Sequence, residues 1–213
     1  MKRVLVLHSL SRYHRATTYE FVTSFGKYAP KGVHVEYHNI RNSFLPEQLD
    51  IGYDALILPY DILSLRSSNQ WDWVIETAEN IRNLCDRLIV FPQDDYTYNR
   101  YLDEGLEFLN ADTIYSPIEN GLEIVYPKMS KIAEMKHALT GYADESLAER
   151  YLTSWIPMSE RNIDVGTRVR MLPAWFGRYG QEKGLLVEAF EKRAQTSDVR
   201  TDISTKDSDV FTG

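Results

Sequence analysis

The chain has 213 residues, of which 43% are hydrophobic and 26% are charged, a composition typical of a globular protein with a sizeable core. The formal net charge of −7 and the isoelectric point of about 5.3 argue against general binding to nucleic acid or to an anionic membrane surface. The single cysteine, Cys85, excludes a disulfide framework and a multi-cysteine metal site, and we expect it to be a buried structural thiol.

The first predicted element is the short apolar run 4–7. This run predicts a strand and is too short for a signal peptide, and no later run reaches the length of a transmembrane helix. These features predict a cytoplasmic protein with no transmembrane segment. A polar, basic segment follows the strand, and the spacing of Phe21, Val22 and Phe25 then predicts a helix.

Strands and helices alternate through the middle of the chain. Further strands are predicted at 33–38, 54–58, 88–91 and 112–115. A helix that contains Trp71 follows a predicted cap at Asn69 and Asp72, and a second helix has Tyr98 and Tyr101 on its buried stripe. The alternation predicts an α/β fold: a doubly wound, Rossmann-like parallel sheet with helices on both faces.

The pattern changes after residue 140 and predicts a second unit. We expect an amino-terminal domain at 1–156 and the beginning of another α/β domain at 157–213. The predicted elements of the second unit are a strand at 163–171, a loop at 173–180, a helix at 185–194 and a strand from Arg200 to Ser204. Because a sheet of two strands is marginally stable, we expect this second domain to be truncated.

Two adjacent carboxylates, Asp94 and Asp95, follow the predicted central strand 88–91. In open α/β sheets ligands bind at the carboxyl ends of the strands, so this pair is expected on the functional edge. Successive side chains point in different directions, so at most one of the two would face a cleft, as a general base or as a hydrogen-bond acceptor. The alternative is that one caps the next helix and the other is solvated.

Two histidines are predicted at the same edge, His8 at the end of the first strand and His14 in the loop after it. Either is a candidate general base because imidazole titrates near neutral pH, and either is alternatively a packed or solvated side chain. No histidine pair has the spacing of zinc ligands, so the sequence predicts no metal site.

The segment Gly177–Gly184 combines glycines with Arg178 and Lys183 directly before a predicted helix. Flexible backbone, free N–H groups at a helix terminus and two cations suit a diphosphate. The spacing matches neither a nucleotide-triphosphate loop nor a dinucleotide fingerprint. The alternative for this segment is a glycine-rich turn with solvated charges.

Together with the apolar helix that ends in Glu188-Ala189-Phe190, this segment resembles the first strand-to-helix loop of the carboxyl-terminal domain of two-domain, GT-B-fold glycosyltransferases. The order of further short motifs is similar to bacterial glycosyltransferase-like proteins of polysaccharide and spore-coat gene clusters. Those motifs are FPQDDY at 91–96, RNIDVG at 161–166, Arg168, LP at 172–173, WFG at 175–177 and DIS at 202–204.

The resemblance implies transfer of a sugar from a nucleotide-sugar donor to a saccharide or other hydroxyl acceptor in surface polysaccharide synthesis. The first domain would bind the acceptor, while Gly177, Arg178, Lys183 and Gly184 would contact the donor diphosphate. The nucleotide sugar is then a substrate, and no cofactor is implied. The donor-sugar residues of that family lie later in the second domain, so the resemblance implies that residues 1–213 need a missing carboxyl-terminal domain for activity.

A second hypothesis belongs to another class of protein. The acidic pair and the basic segment would in this case serve a non-catalytic α/β module that binds a small ligand or a regulatory partner. Receiver-like domains also carry acidic residues at strand ends, but they need a lysine at a strand end that this sequence does not offer.

Overall fold

The computed structural model describes residues 1–42, 49, 52–139, 141, 145–172, 174 and 177–204. The chain forms two compact units, Met1–Ala143 and Asp144–Gly213. The units meet between residues 143 and 144, whereas the sequence predicted a boundary between residues 156 and 157. Three residues of the motifs above lie outside the described residues: Pro173, Trp175 and Phe176.

The first unit alternates strands and helices. Its described strands are β1 Lys2–His8, β2 Val33–Asn39, β3 Ala55–Pro59, β4 Leu88–Phe91, β5 Thr113–Ser116 and β6 Glu134–His137. Its described helices are α1 Ala16–Lys27, α2 Tyr60–Leu63, α3 Trp71–Arg82, α4 Asn99–Phe108 and α5 Leu122–Val125. Short 3-10 turns lie at Ser64–Ser67 and Met129–Lys131.

The six strands form one parallel sheet in the order β2-β1-β3-β4-β5-β6. Val6 of β1 lies opposite Ile57 of β3, and Leu58 lies opposite Val90 of β4. The chain places β2 on one side of β1 and then continues on the other side with β3. The Rossmann-like, doubly wound sheet predicted from the sequence is therefore confirmed.

Side chains that alternate along the central strands fill two cores, one on each face of the sheet. Leu56, Leu58 and Leu88 belong to the larger core, to which α3 and α4 also contribute. Val6 and Ile57 point to the opposite face, where Phe21 and Val22 of α1 cover them. Because β3 is buried along its whole length, both faces of the sheet are covered at its centre.

Of the local predictions for the first unit, the burial of Cys85 is confirmed and the cap of α3 is wrong. Cys85 is buried as expected, and burial raises the pKa of its thiol to about 11. The predicted cap of α3 is wrong, because the helix begins at Trp71 after Gln70 and has no side-chain hydrogen bond at its N-cap. Asn69 and Asp72 are exposed instead. Strand β6 was not predicted.

The second unit contains helix α6 Glu145–Ser154, strand β7 Val165–Arg168, helix α7 Gly177–Ala194 and strand β8 Thr201–Ser204. Strands β7 and β8 are parallel neighbours, with Gly166 opposite Asp202. The two predicted strands are thus confirmed, but the predicted loop at 173–180 is wrong in its second half. Helix α7 begins at Gly177, eight residues before the predicted start at Leu185.

Candidate functional site

The carboxyl ends of the parallel strands lie along one edge of the sheet. The chain leaves β1 toward β2 on one side and returns to β3 on the other, so the strand order reverses between β1 and β3. Loops that follow two such strands diverge and leave a crevice, which is where open α/β sheets bind ligands. The residues directly after β1 and β3 are therefore the first candidates for a site.

Ser9 and Asp61 meet at this crevice and are called here the Ser9–Asp61 pair. The backbone N–H of Ser9 donates a 2.7 Å hydrogen bond to Asp61 Oδ2, and the Ser9 hydroxyl donates to the same oxygen at 3.2 Å. Asp61 is only 2% exposed, yet its other oxygen, Oδ1, accepts no hydrogen bond from any described residue. An unsatisfied buried acceptor is unfavourable by about 1–3 kcal/mol, so this oxygen suits a ligand donor.

The environment of Asp61 alters its protonation. Burial raises the pKa of the carboxyl, whereas the two hydrogen bonds from Ser9, the nearby His14 and the neighbouring backbone N–H of Ile62 oppose this rise. A carboxylate with a raised pKa is a better proton acceptor than an ordinary aspartate. Asp61 therefore combines a free oxygen with the chemistry of a general base.

The loop after β1 is held by hydrogen bonds from the end of β2. Asn39 Nδ2 donates to the carbonyl of Leu10 at 2.7 Å, and Arg41 Nε donates to the carbonyl of Ser9 at 2.7 Å. Ser9 is fully buried. These contacts fix the backbone of Ser9, and with it the two donors that orient Asp61.

The two predicted histidines lie at this edge, but their ring nitrogens are engaged by the backbone. His14 Nδ1 accepts a 2.9 Å hydrogen bond from the N–H of Ser11, and His8 Nδ1 accepts one of 3.2 Å from Leu10. A neutral imidazole that accepts at Nδ1 carries its proton at Nε2. In this arrangement both rings offer a donor to a ligand, and Asp61 is the better candidate for the base.

The lowered pKa of His8 is expected to make the stability of the first unit depend on pH. Burial, with smaller effects from His38 and His14, lowers its pKa from 6.5 to about 4, so the unfolded chain takes up a proton before the folded chain does. The stability from neutral His8 is complete above pH 6.5 and is lost as the pH falls toward 4. After allowance for its partial exposure, we expect a loss of about 1–2 kcal/mol.

The variant His8→Asn tests this expectation, because its amide oxygen can still accept from the Leu10 N–H while the side chain has no charge to gain. Urea unfolding at a series of pH values should show a shallower decline below pH 6.5 for His8→Asn than for the unmodified chain. His137→Asn changes an exposed histidine and is the control, with an unchanged slope. Equal slopes for all three proteins would contradict the assignment to His8.

The adjacent pair Asp94 and Asp95 divides between surface and interior. Asp94 is exposed and has a left-handed backbone with φ of 52°, which aspartate tolerates better than most residues. Asp95 is 1% exposed, and its Oδ2 accepts hydrogen bonds of 2.7 Å from Ser116 Oγ and 2.6 Å from Tyr126 OH. These internal contacts indicate a structural role for Asp95, and Asp94 is the member of the pair on the edge.

Helix capping, the alternative role for this pair, does not occur among the described contacts. Helix α4 begins at Asn99 after Tyr98, which also has a left-handed backbone with φ of 51° and makes no side-chain capping bond. Tyr98 and Tyr101 were expected in the core and are instead about half exposed, at 52% and 54%. That prediction was wrong, and both rings are accessible to a ligand.

In the second unit, Gly177 to Gly184 lie within α7. Residues five apart on a helix are about 140° apart around its axis, so Arg178 and Lys183 leave different faces. Gly184 serves packing, because a Cβ there would lie 1.6 Å from Met171 Sδ. Arg178 lies in the first turn, where free N–H groups favour an anion. Of the two predicted cations, Arg178 therefore lies beside the amino terminus of α7 and Lys183 lies farther along the helix.

No protein-family model, curated protein or solved structure matches this chain. The described residues include no helix that is long and apolar enough to cross a membrane. Nor do three histidine, cysteine or acidic side chains come together within the described part as a metal site.

Two residues at this edge were missed from the sequence, Asp61 and Arg66. Asp61 comes two residues after the end of β3, and Asp94 comes three residues after the end of β4, so the rule that selected Asp94 also selects Asp61. Arg66 lay in a segment with no strong pattern. It is 5% exposed and donates to backbone carbonyls of the loop between β4 and α4, including those of Gln93 and Asp94 at 2.9 Å.

Proposed function

We propose that the protein is a glycosyltransferase, or the acceptor-binding part of one, that transfers a sugar from a nucleotide-sugar donor to a hydroxyl group of a saccharide or other acceptor. Its first unit would bind the acceptor at the Ser9–Asp61 pair, and its second unit would bind the donor diphosphate through Arg178 and the start of α7. A cytoplasmic location and a role in surface polysaccharide synthesis belong to the same proposal.

The observation that carries the proposal is the free buried oxygen of Asp61 at the crevice between β1 and β3. A hydroxyl group of an acceptor would donate the hydrogen bond that Oδ1 lacks. Because Asp61 is 2% exposed, the side chains that cover it must move aside when the acceptor binds. The burial that hides the carboxylate is also the main cause of its raised pKa.

The proposed step moves one proton and exchanges one bond. Asp61 Oδ1 takes the proton of the acceptor hydroxyl while the hydroxyl oxygen forms a bond to the anomeric carbon of the donor sugar. The bond from that carbon to the diphosphate breaks, and the nucleoside diphosphate leaves with the electron pair. His14, with its proton at Nε2, would orient the acceptor as a hydrogen-bond donor.

Release of nucleoside diphosphate tests the proposal directly. The full-length protein, expressed from its complete reading frame, is incubated with a panel of UDP-, GDP- and dTDP-sugars and with saccharide acceptors. We expect acceptor-dependent release, and we expect Asp61→Asn to lower kcat by about 10²–10⁴-fold because general base catalysis contributes an effect of that size.

Asp86→Asn is the matched control, since Asp86 is an exposed aspartate that precedes β4 at the opposite edge of the same sheet. Its activity should equal that of the unmodified protein. A folded protein that releases no nucleoside diphosphate from any donor contradicts the proposal. An active protein in which Asp61→Asn has no effect contradicts the assigned base.

A second candidate is the non-catalytic ligand-binding module. The observation that favours it is the position of Arg178 and Lys183 on different faces of α7, because two cations that clamp a diphosphate should converge. Isothermal titration of the full-length protein with nucleoside diphosphates separates the candidates. An affinity that Arg178→Ala lowers supports the transferase, whereas the absence of binding to any nucleotide supports the module.

A further inference from the structure

A pocket with three aromatic side chains opens between the amino-terminal ends of α3 and α4. Trp71 and Tyr101 line it together with Tyr98, and Asn69 and Asp72 contribute polar groups. These five residues are called the aromatic pocket. Its volume is about 230 Å³, which suits a small ligand such as a single sugar ring. It shares no lining residue with the Ser9–Asp61 pair.

The aromatic side chains offer accessible ring surface. The ring centroids of Tyr98 and Tyr101 are 6.2 Å apart, and their planes meet at 48°, so the two rings form an angled wall. Both are about half exposed, whereas Trp71 is 7% exposed and anchors the floor. Apolar ring faces of this kind suit the face of a sugar ring that presents its axial C–H bonds.

The polar side chains of the pocket have unused hydrogen-bonding capacity. Ser67 and Ser68, which also line the pocket, donate to backbone carbonyls, but the side chains of Asn69 and Asp72 make no hydrogen bond among the described residues. An amide and a carboxylate beside aromatic rings offer both donors and acceptors to sugar hydroxyl groups. The chemistry of the pocket therefore matches both parts of a sugar ring, its apolar face and its polar edge.

The wall of the pocket is held in place before any ligand binds. Tyr98 has a left-handed backbone, which is unusual for a bulky side chain and unfavourable by about 1–3 kcal/mol. Arg66, buried beneath the loop, donates from Nε to the carbonyl of Thr97 at 2.9 Å. The arginine thus fixes the loop that carries the strained residue, and backbone strain of this kind concentrates at ligand sites.

The charge around the pocket restricts the class of sugar. A neighbouring cavity of about 460 Å³ shares Trp71, Asp72 and Tyr101 with the aromatic pocket and continues along α3 and α4. Besides Asp72, the carboxylates that line this second cavity are Glu76, Glu79 and Glu104. Arg66 is the one cation among the described residues that line either cavity, and it keeps its positive charge although backbone carbonyls occupy its N–H groups. Glu104 forms an ion pair with Arg100 at 3.0 Å, so the excess negative charge comes from Asp72, Glu76 and Glu79. Acidic sugars would be repelled, whereas neutral sugars and amino sugars would not.

We infer that the aromatic pocket binds a neutral or amino-bearing sugar ring of a saccharide, at a subsite separate from the Ser9–Asp61 pair. This inference rests on the proposed function in one respect, since the bound saccharide would be the acceptor. Binding itself requires no donor and no transfer, so the pocket can be tested alone on residues 1–213.

The test is ligand-observed NMR with methyl glycosides. The probes are the methyl pyranosides of glucose, galactose, mannose and glucosamine, with methyl glucuronide as the acidic counterpart. We expect at least one neutral or amino sugar to bind and methyl glucuronide to bind at least tenfold more weakly. Tyr98→Ala and Tyr101→Ala should each weaken binding by about tenfold, an effect equivalent to 1.4 kcal/mol.

Two control variants distinguish the loss of a ring in the pocket from a failure of the variant to fold. Tyr101→Phe keeps the ring and should retain affinity within about threefold. Tyr151→Ala removes a tyrosine of similar exposure, 61%, from helix α6 and should bind as the unmodified chain does. Sugar binding that neither Tyr98→Ala nor Tyr101→Ala weakens overturns the inference, as does the absence of binding to every glycoside.

A basic amphipathic peptide is the competing occupant, because the acidic rim would attract it. A lysine-rich helical peptide is therefore titrated in parallel, and peptide binding that depends on Tyr101 without any sugar binding also overturns the inference. The two proposals have separate readouts: Asp61→Asn should abolish most transfer, whereas Tyr98→Ala and Tyr101→Ala should lower the affinity for methyl glycosides. Sugar binding without transfer would retain the pocket and reject the transferase.

Discussion

Replacing Arg66 with methionine is expected to lower the free energy of unfolding of the first unit by about 3 kcal/mol. The guanidinium is buried and donates to four carbonyls, those of Leu63, Gln93, Asp94 and Thr97, at 2.8–2.9 Å. Hydrogen bonds from a charged donor contribute about 1.5–3 kcal/mol each, but they are not additive and the exposed loop carbonyls regain water. The methionine stem fills a similar volume, so the loss reports mainly the hydrogen bonds.

Hydrogen exchange measured on peptides from β3 and β4 follows the first unit alone, which matters because the chain has two units. The loop between β4 and α4 should exchange faster in Arg66→Met, beginning at the Thr97 N–H that donates to the carbonyl of Asp94. Arg66→Lys restores the charge but not the planar array of donors, and should recover about 1 kcal/mol. Arg100→Met removes an exposed arginine and is the control, with a change below about 0.5 kcal/mol. A similar small change in Arg66→Met would show that the loop holds its shape without the arginine.

The sheet could be predicted because its central strands are unbroken apolar runs. Strands β1, β3 and β4 combine such runs with buried side chains on both faces, and hydrophobic burial decides their place. Strand β6 reads Glu-Met-Lys-His, with an exposed residue at each end, and its partner β5 determines its conformation through backbone hydrogen bonds. An edge strand of this kind leaves no periodic signal in the sequence.

The sequence predicted which edge of the sheet carries the polar residues, but it did not predict which of those residues meet there. The rule that polar residues after parallel strands lie on one edge found Asp94, His8 and His14, and the structure places all three there. The order of strands is a tertiary property, so the sequence did not reveal that β1 and β3 are neighbours and that Asp61 meets Ser9. The histidine tautomers likewise depend on backbone N–H groups that only the folded loop positions.

In α4 the apolar spacing alone does not show which of two neighbouring residues, Tyr101 or Leu102, faces the core. Tyr101 and Leu102 both continue an apolar spacing, but they are about 100° apart on the helix. Leu102 is fully buried, and Tyr101 is turned outward. Gly105 fixes this choice, since a Cβ there would lie 2.7 Å from Trp71 Cζ2, so α4 approaches α3 closely along the Gly105 face. Because Leu102 packs into the core, the Tyr101 ring lies at the surface and can line the aromatic pocket.

Replacing Asp95 with alanine is expected to destabilise the first unit by about 3 kcal/mol. Burial and the adjacent carboxylate raise the pKa of Tyr126, so its phenol keeps its proton and donates to Asp95 Oδ2, as does Ser116. Alanine leaves two buried hydroxyl groups without an acceptor. Because Oδ1 has no partner among the described residues, the variant also removes an unfavourable buried oxygen, which keeps the loss below the sum of two charged hydrogen bonds.

Asp95→Asn keeps an acceptor for both hydroxyl groups and should cost about 1–2 kcal/mol, while Asp94→Asn, at the exposed neighbour, should change stability by less than about 0.5 kcal/mol. A double-mutant cycle identifies the contact. Tyr126→Phe should cost about 2 kcal/mol in the unmodified chain and much less in Asp95→Ala, because the phenol has already lost its acceptor there. Equal costs in the two backgrounds would show that Asp95 and Tyr126 act independently. The expected coupling would instead establish that the two carboxylates after β4 have different roles. Asp95 joins β5 to Tyr126, the residue that follows α5, and Asp94 lies on the edge of the sheet.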